Sequence, residues 1–231
     1  MHFRLPKPLH GWRAFAGEVG IIVVGVLIAL AFEQMAQSFH NRAVASEARE
    51  AIRAEVRENL FWIEVRERYE PCVERALSEL DEVLRRARNG QSTPRITNVG
   101  LGVHSKITSL RWNANAQAGR ASLFSGDEQR VFGNMYFTTE QFSVSQEQEE
   151  TAWAKMGFLE GIGQLTDLDV HELSLLLAEA RYRNLRAQLS IERSHQWANR
   201  LSLTAANPNG VENLTFPKTL TCPRLTEAPL R

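Results

Sequence analysis

Hydrophobic and polar positions divide the chain into stretches of different periodicity. From Gly17 to Phe32 the sequence reads GEVGIIVVGVLIALAF, and between Val19 and Phe32 no charged or strongly polar side chain occurs. A helix that is apolar on every side is either deeply buried or in lipid, so this stretch predicts a transmembrane helix over residues 14–35. Beyond it the period changes. Over 41–89, Ile52, Val56, Leu60 and Ile63, then Val73, Leu77, Leu80, Leu84 and Ala87, recur at three and four residues, the spacing of an amphipathic helix. Glu and Arg fill the other positions, with i,i+4 pairs such as Glu64–Arg68 and Glu82–Arg86. Pro71 falls inside this stretch and predicts a kink or a new helix start, and Asn89-Gly90 predicts a stop.

A short helix is expected over about Ser105–Gly119, carrying Ile107, Leu110, Trp112, Ala114 and Ala118, with Trp112 as a core anchor. Ser125-Gly126-Asp127 opens the next. It continues through Val131, Met135, Tyr136, Phe142, Trp153, Met156 and Leu159 to the break at Gly161–Gly163. Thr166-Asp167 opens the last long helix, with Leu173, Leu176, Leu177, Ala180, Leu185, Leu189, Ile191, Trp197 and Leu201 as its apolar positions. The expected fold class is all-α: one N-terminal transmembrane helix, an elongated antiparallel helical bundle over 41–206, and an irregular C-terminal tail over 207–231 rich in Pro. Residues 1–13 form a short tail on the near side of the membrane helix.

The membrane segment has limits that its ends must meet. At 1.5 Å per residue Val19–Phe32 spans only about 21 Å, against a hydrocarbon layer of about 30 Å. The flanks Ala14–Met35 must therefore take part, which brings Glu18 near one boundary and Glu33 near the other. Glu18 is a candidate functional carboxylate, the plain alternative being an interfacial side chain that reaches water. Gly25 and Ala29, four apart, are a small-residue face suited to helix–helix contact. The basic start, apolar core and Ala29-Leu30-Ala31 also fit a cleaved signal peptide; Glu18 and the unbroken helical sequence beyond it favour a retained anchor. Arg4, Lys7 and Arg13 outnumber the basic residues just after the segment, which points to a cytoplasmic N-terminus and a periplasmic bundle in a bacterial inner membrane.

Composition narrows the function classes. Lys plus Arg equals Asp plus Glu at 27 each, which argues against a nucleic-acid partner. Cys72 and Cys222 are the two cysteines, and in an exported domain they are candidates for one disulfide. The six histidines include no i,i+3 or i,i+4 pair. Glu192-Arg-Ser-His195 is half of a di-iron pattern without its second half, and Asp167, Asp169, His171 and Glu172 read as helix-start chemistry rather than a metal site. Walker, dinucleotide and nucleophile-elbow motifs are absent. No catalytic residue, cofactor or metal is expected, and an enzyme with a site between helices ranks last.

The string Gly17-Glu18-Val19, then Ile21 to Leu30, resembles the N-terminal signature of a bacterial family of membrane-anchored proteins of unknown function: a Gly-Glu-Ile/Val start, an apolar run ending near Gly-Ile/Val-Leu-Ile-Ala-Leu, then a charged helix. Arg111 to Gly119, with Tyr136 and Trp153, is similar to the middle of such proteins. Where many of them carry Gln and Asn with a Trp, this chain has Ala31-Phe32-Glu33-Gln34-Met35. The resemblance implies a membrane anchor and supplies no catalytic residues. The expectation is a single-pass membrane protein whose helical domain acts through protein contacts, with the lipid bilayer, a homodimer or a membrane protein as partners. The alternative is a ligand-sensing bundle, which calls for a buried polar pocket between the long helices, lined by residues such as Arg111, Asn113, Asn115 and His171. A dry Leu/Ala/Trp core favours the scaffold.

Overall fold

The structure is a computed structural model that describes residues 11–99, 105–206, 222 and 224–226. Most of the expected 1–13 tail, His2, His10, His104 and most of the 207–231 tail lie outside the described residues. The fold is all-α: α1 (Trp12–Arg88), α2 (Leu110–Gln117), α3 (Gly126–Met156) and α4 (Asp167–Arg200), with a 3-10 turn before α3 and another after it. The chain divides into two compact units, Met1–Arg49 and Glu50–Arg231, and α1 contributes to both.

In the first unit the apolar stretch near the N-terminus is uncovered, and burial begins only at Ala45 and Ala48. Every residue from Val19 to Phe32 is exposed, Ile21 at 76% and Leu27 at 60%. Near the N-terminus, α1 is long and apolar enough to cross a membrane.

In the second unit, the apolar stripe of α1 is buried from Ile52 to Leu84. That stripe is covered by α3 and α4 of the same chain, so it is not available as a dimer seam. Pro71 does not end the helix, which runs on to Arg88; Gly90 then adopts φ 65° beyond its end, a left-handed turn that glycine accepts without strain. Side-chain pairs give the helix directions. Glu55 meets Tyr136 and Arg66 meets Glu149, so α1 and α3 run the same way. Arg53 meets Leu201, Glu67 meets His195, and Asp81 meets Arg181, so α4 is antiparallel to α1. The antiparallel relation therefore holds for α4. α1 and α3 are parallel because residues 89–125 carry the chain back to the level of Glu55 before α3 begins.

Both long helices after the return start on full capping boxes: Ser125 with Glu128, and Thr166 with Asp169. The main apolar cluster joins Val73, Leu77 and Leu80 of α1 to Trp153 and Met156 of α3 and Leu173 and Leu177 of α4. Leu225 from the C-terminal segment enters the same cluster and is 2% exposed. Its N–H donates to Glu79 at 2.9 Å, and its carbonyl accepts from the Thr97 N–H at 2.8 Å. Cys72 and Cys222 are joined by a disulfide, with Cα atoms 5.1 Å apart.

Three local expectations change. The short helix begins at Leu110, not near Ser105, so Ile107 precedes it. Trp112 is half-buried rather than a core anchor. Leu185 and Leu189 face outward at 52% and 39% exposure, whereas Leu173, Leu176, Leu177, Ala180 and Ile191 are buried.

Candidate functional site: buried charges and a polar groove

Two polar assemblies interrupt the core of the second unit, and both are organised from α1. Ile52, Asn59, Arg66, Val73 and Leu80 are spaced seven apart, so they share one side of the helix. Asn59 and Arg66 therefore stand where an apolar side chain fits the pattern.

Asn59 and Glu55, one turn apart, hold the returning segment. Asn59 pairs with the Thr108 backbone in both directions, donating to its carbonyl at 2.8 Å and accepting from its N–H at 3.0 Å. The Glu55 carboxylate accepts from the N–H groups of Arg111 at 2.9 Å and Trp112 at 3.0 Å. These are free donors at the start of α2, which a helix normally satisfies through its own cap residue. Ser109 makes no such side-chain bond; Glu55 supplies it from another element, with a negative charge at the positive end of the helix. The Tyr136 hydroxyl donates to Glu55 at 2.7 Å. Burial and the adjacent carboxylate together push that phenol above its ordinary range. The Trp112 ring stacks on Tyr136 at 5.2 Å between centroids and 14° between planes.

This docking leaves a groove of about 400 Å³ between the returning segment and α3, lined among others by Thr108, Trp112, Asn113, Gly133, Tyr136 and Glu140. Its walls are mainly hydroxyl and amide groups. A Cβ added at Gly133 would meet nothing within 4 Å, so packing within the chain does not require glycine there.

Further along α1, Arg66 is 2% exposed. Its guanidinium donates to Glu70 at 2.7 Å, to both oxygens of Glu149 at 3.1 and 3.2 Å, and to Asn184 at 2.6 Å. Glu70 also accepts from Asn184 at 2.6 Å and from Gln188. One cation thus serves two carboxylates, and the three long helices each contribute to the network. Burial raises the Glu149 carboxyl above its ordinary value, against the opposing pull of Arg66. A second groove of about 460 Å³ opens beside Glu70, between Gln188 and His195 of α4 and Glu67 of α1.

The residues singled out in the sequence fall in different places. Glu18, Gly25 and Ala29 are exposed on α1, and a Cβ at Gly25 would meet nothing within 4 Å. Asn113 lines the first groove. The Arg111 side chain lies 3.5 Å from Glu58, and the buried Asn115 donates to the Arg111 carbonyl at 2.8 Å. His171 is exposed on α4 and belongs to neither groove. His195 pairs with Glu67 at 3.1 Å while Glu192 accepts from Gln196, and Asp169 serves the Thr166 capping box. Among the described residues no group of three or more His, Cys, Asp or Glu is placed to hold a metal ion. Sequence reasoning missed Glu55, Asn59 and Arg66. The signal for Asn59 and Arg66 was their seven-residue register with Ile52 and Val73; Glu55 carried none.

No family model, curated protein or solved structure matches the chain.

Proposed function

We propose that this chain is a single-pass inner-membrane protein whose helical domain stands in the periplasm and acts through protein contacts, without enzymatic activity. The observation that carries the reading is the exposure of every residue from Val19 to Phe32. Fourteen successive apolar or small residues cost about 25 cal/mol for every Å² of apolar surface left in water, and a bilayer removes that cost. The basic residues before the segment support an N-terminus in the cytoplasm. A disulfide between Cys72 and Cys222 suits the oxidising compartment that this orientation gives to the bundle. The Gly17–Leu30 resemblance to membrane-anchored bacterial proteins agrees with it.

Carbonate extraction and an alkaline phosphatase fusion after residue 60 test the proposal together. The chain is expected to stay with the membrane and the fusion to be active. Release by carbonate removes the anchor, and an inactive fusion removes the periplasmic orientation.

A second reading, ligand sensing through a membrane partner, is favoured by the groove at Gly133, whose missing side chain leaves room without serving the fold. Gly133→Leu is expected to fill that space while leaving the bundle folded. Under the sensing reading it abolishes ligand-dependent changes in Trp112 fluorescence, and an unaltered response speaks against the groove.

A further inference from the structure

α4 carries two apolar faces. The first packs in the core. The second points away from it and is made of Leu168 at 73% exposure, Leu175 at 59%, Tyr182 at 53%, Leu185 at 52% and Leu189 at 39%. Leu168, Leu175, Tyr182 and Leu189 are each seven residues apart, and Ala178 and Leu185 lie three residues after Leu175 and Tyr182. That is the first-and-fourth pattern of a heptad seam. Large apolar side chains gathered on one exposed face mark an interaction surface.

The charges beside the seam say what covers it. On one flank Ser174, Arg181, Gln188 and His195 are bonded to Arg88, Asp81, Glu70 and Glu67 of α1, so that flank is occupied within the chain. The other flank reads Glu172, Glu179, Arg186, Arg193, again seven apart, with Glu179 3.7 Å from Arg183 of its own helix. Two acidic positions are followed by two basic ones. This order is complementary to itself when reversed: an antiparallel copy brings Glu172 opposite Arg193 and Glu179 opposite Arg186, each pair formed twice by symmetry. In the same register Tyr182 meets Leu185 of the second copy and Ala178 meets Leu189 of the second copy, so the central layers are apolar. A parallel copy would instead set Asp167 beside Glu172, a pair of like charges, and would place none of the acidic residues of this flank opposite its basic ones.

The geometry points to a homodimer in which a second copy of this chain packs antiparallel along the outer face of α4. The inference names a partner for the protein-contact reading and does not depend on the membrane anchor.

The experiment uses the full chain in detergent micelles, where no bilayer fixes the relative direction of two copies. Sedimentation gives the association state. Ala178→Cys and Leu189→Cys are introduced singly and together, with the native cysteines left in their disulfide. The dimer is expected, and oxidation is expected to cross-link the double variant and neither single variant. Glu172→Arg is expected to weaken association roughly tenfold, since two exposed attractions become repulsions. Adding Arg193→Glu in the same chain restores it. All these positions are outside the core, and circular dichroism and thermal unfolding confirm that each variant is folded. Cross-linking by both single variants means a parallel seam and overturns the proposal. So does a monomer at every concentration tested, or a dimer indifferent to all of these substitutions. The last result leaves the protein-contact reading standing with its surface elsewhere, whereas loss of the membrane anchor in the carbonate test leaves the α4 seam untouched.

Discussion

Arg66 has no access to water that would replace its partners, and this decides how it responds to change. Its guanidinium bonds to Glu70, Glu149 and Asn184, so truncation strands two carboxylates rather than removing one favourable contact. Breaking a buried pair from one side costs about 3–5 kcal/mol. Arg66→Ala is expected to lose that much in denaturant unfolding. Arg66→Met combined with Glu149→Gln, which removes charge from both sides, is expected to lose much less. The pH response follows from Glu149. Its folded carboxyl is raised above the ordinary value of 4.5, so its contribution to stability is complete below that value and is lost as pH rises through the folded pKa. Glu82 and Asp169 have lowered carboxyls. Their contributions are present above the ordinary range and fade as pH falls. Comparing wild type with Glu149→Gln separates the two signs: the variant lacks the decline above pH 4.5 and keeps the acid loss. A variant with the same decline as wild type would assign it to another group.

At the scale of the element, several helices depend on groups outside themselves. α2 has eight residues, too few to be stable alone in water, and its first donors are held by Glu55 of α1. Glu55→Ala is expected to release α2 and the stacked Trp112. The readout is faster hydrogen exchange at Arg111 and Trp112 and a change in near-ultraviolet dichroism as Tyr136 also loses its partner, with α4 unaffected. α1 continues through Pro71 although that residue cannot donate to the carbonyl of Glu67. A proline in a helix interior costs about 3 kcal/mol, and the packing of the α1 stripe offsets it. Pro71→Ala is therefore expected to raise the unfolding midpoint, and a lowered midpoint would mean that the proline itself serves the packing. The disulfide closes a separation of 150 residues. In the chain-entropy model Cys72→Ser with Cys222→Ser costs about 3–5 kcal/mol, and it is expected to loosen the Leu225 contact first.

For the whole molecule, the controlling contrast is between an apolar stretch with nothing packed on it and a bundle whose apolar stripe is filled by its own chain. The stretch Val19–Phe32 was legible at once because its pattern has no polar side, and no tertiary contact alters that property. The starts of α3 and α4 were legible because Ser125-Gly126-Asp127 and Thr166-Asp167 carry capping residue types, and the structure adds Glu128 and Asp169 as their partners. The outward face of α4 was not. Leu185 and Leu189 read as core residues because hydrophobicity alone does not say which of two apolar faces meets a neighbour. The polar node was not legible either, since Glu55 and Arg66 look like the ordinary charges of a solvated helix until distant elements are placed against them.

The sequence by itself determined the helical class, the starts of α3 and α4, the stop after Arg88, and the length of chain too apolar for water. These follow from local spacing, capping and side-chain solubility within a few turns. Only the tertiary structure decided that α3 runs parallel to α1, that Arg66 is enclosed, that Glu55 caps a helix 55 residues away in sequence from its own position, and that α4 keeps a second apolar face uncovered. Each of these depends on which surfaces of distant elements meet, and burial is a property of that meeting rather than of the residue.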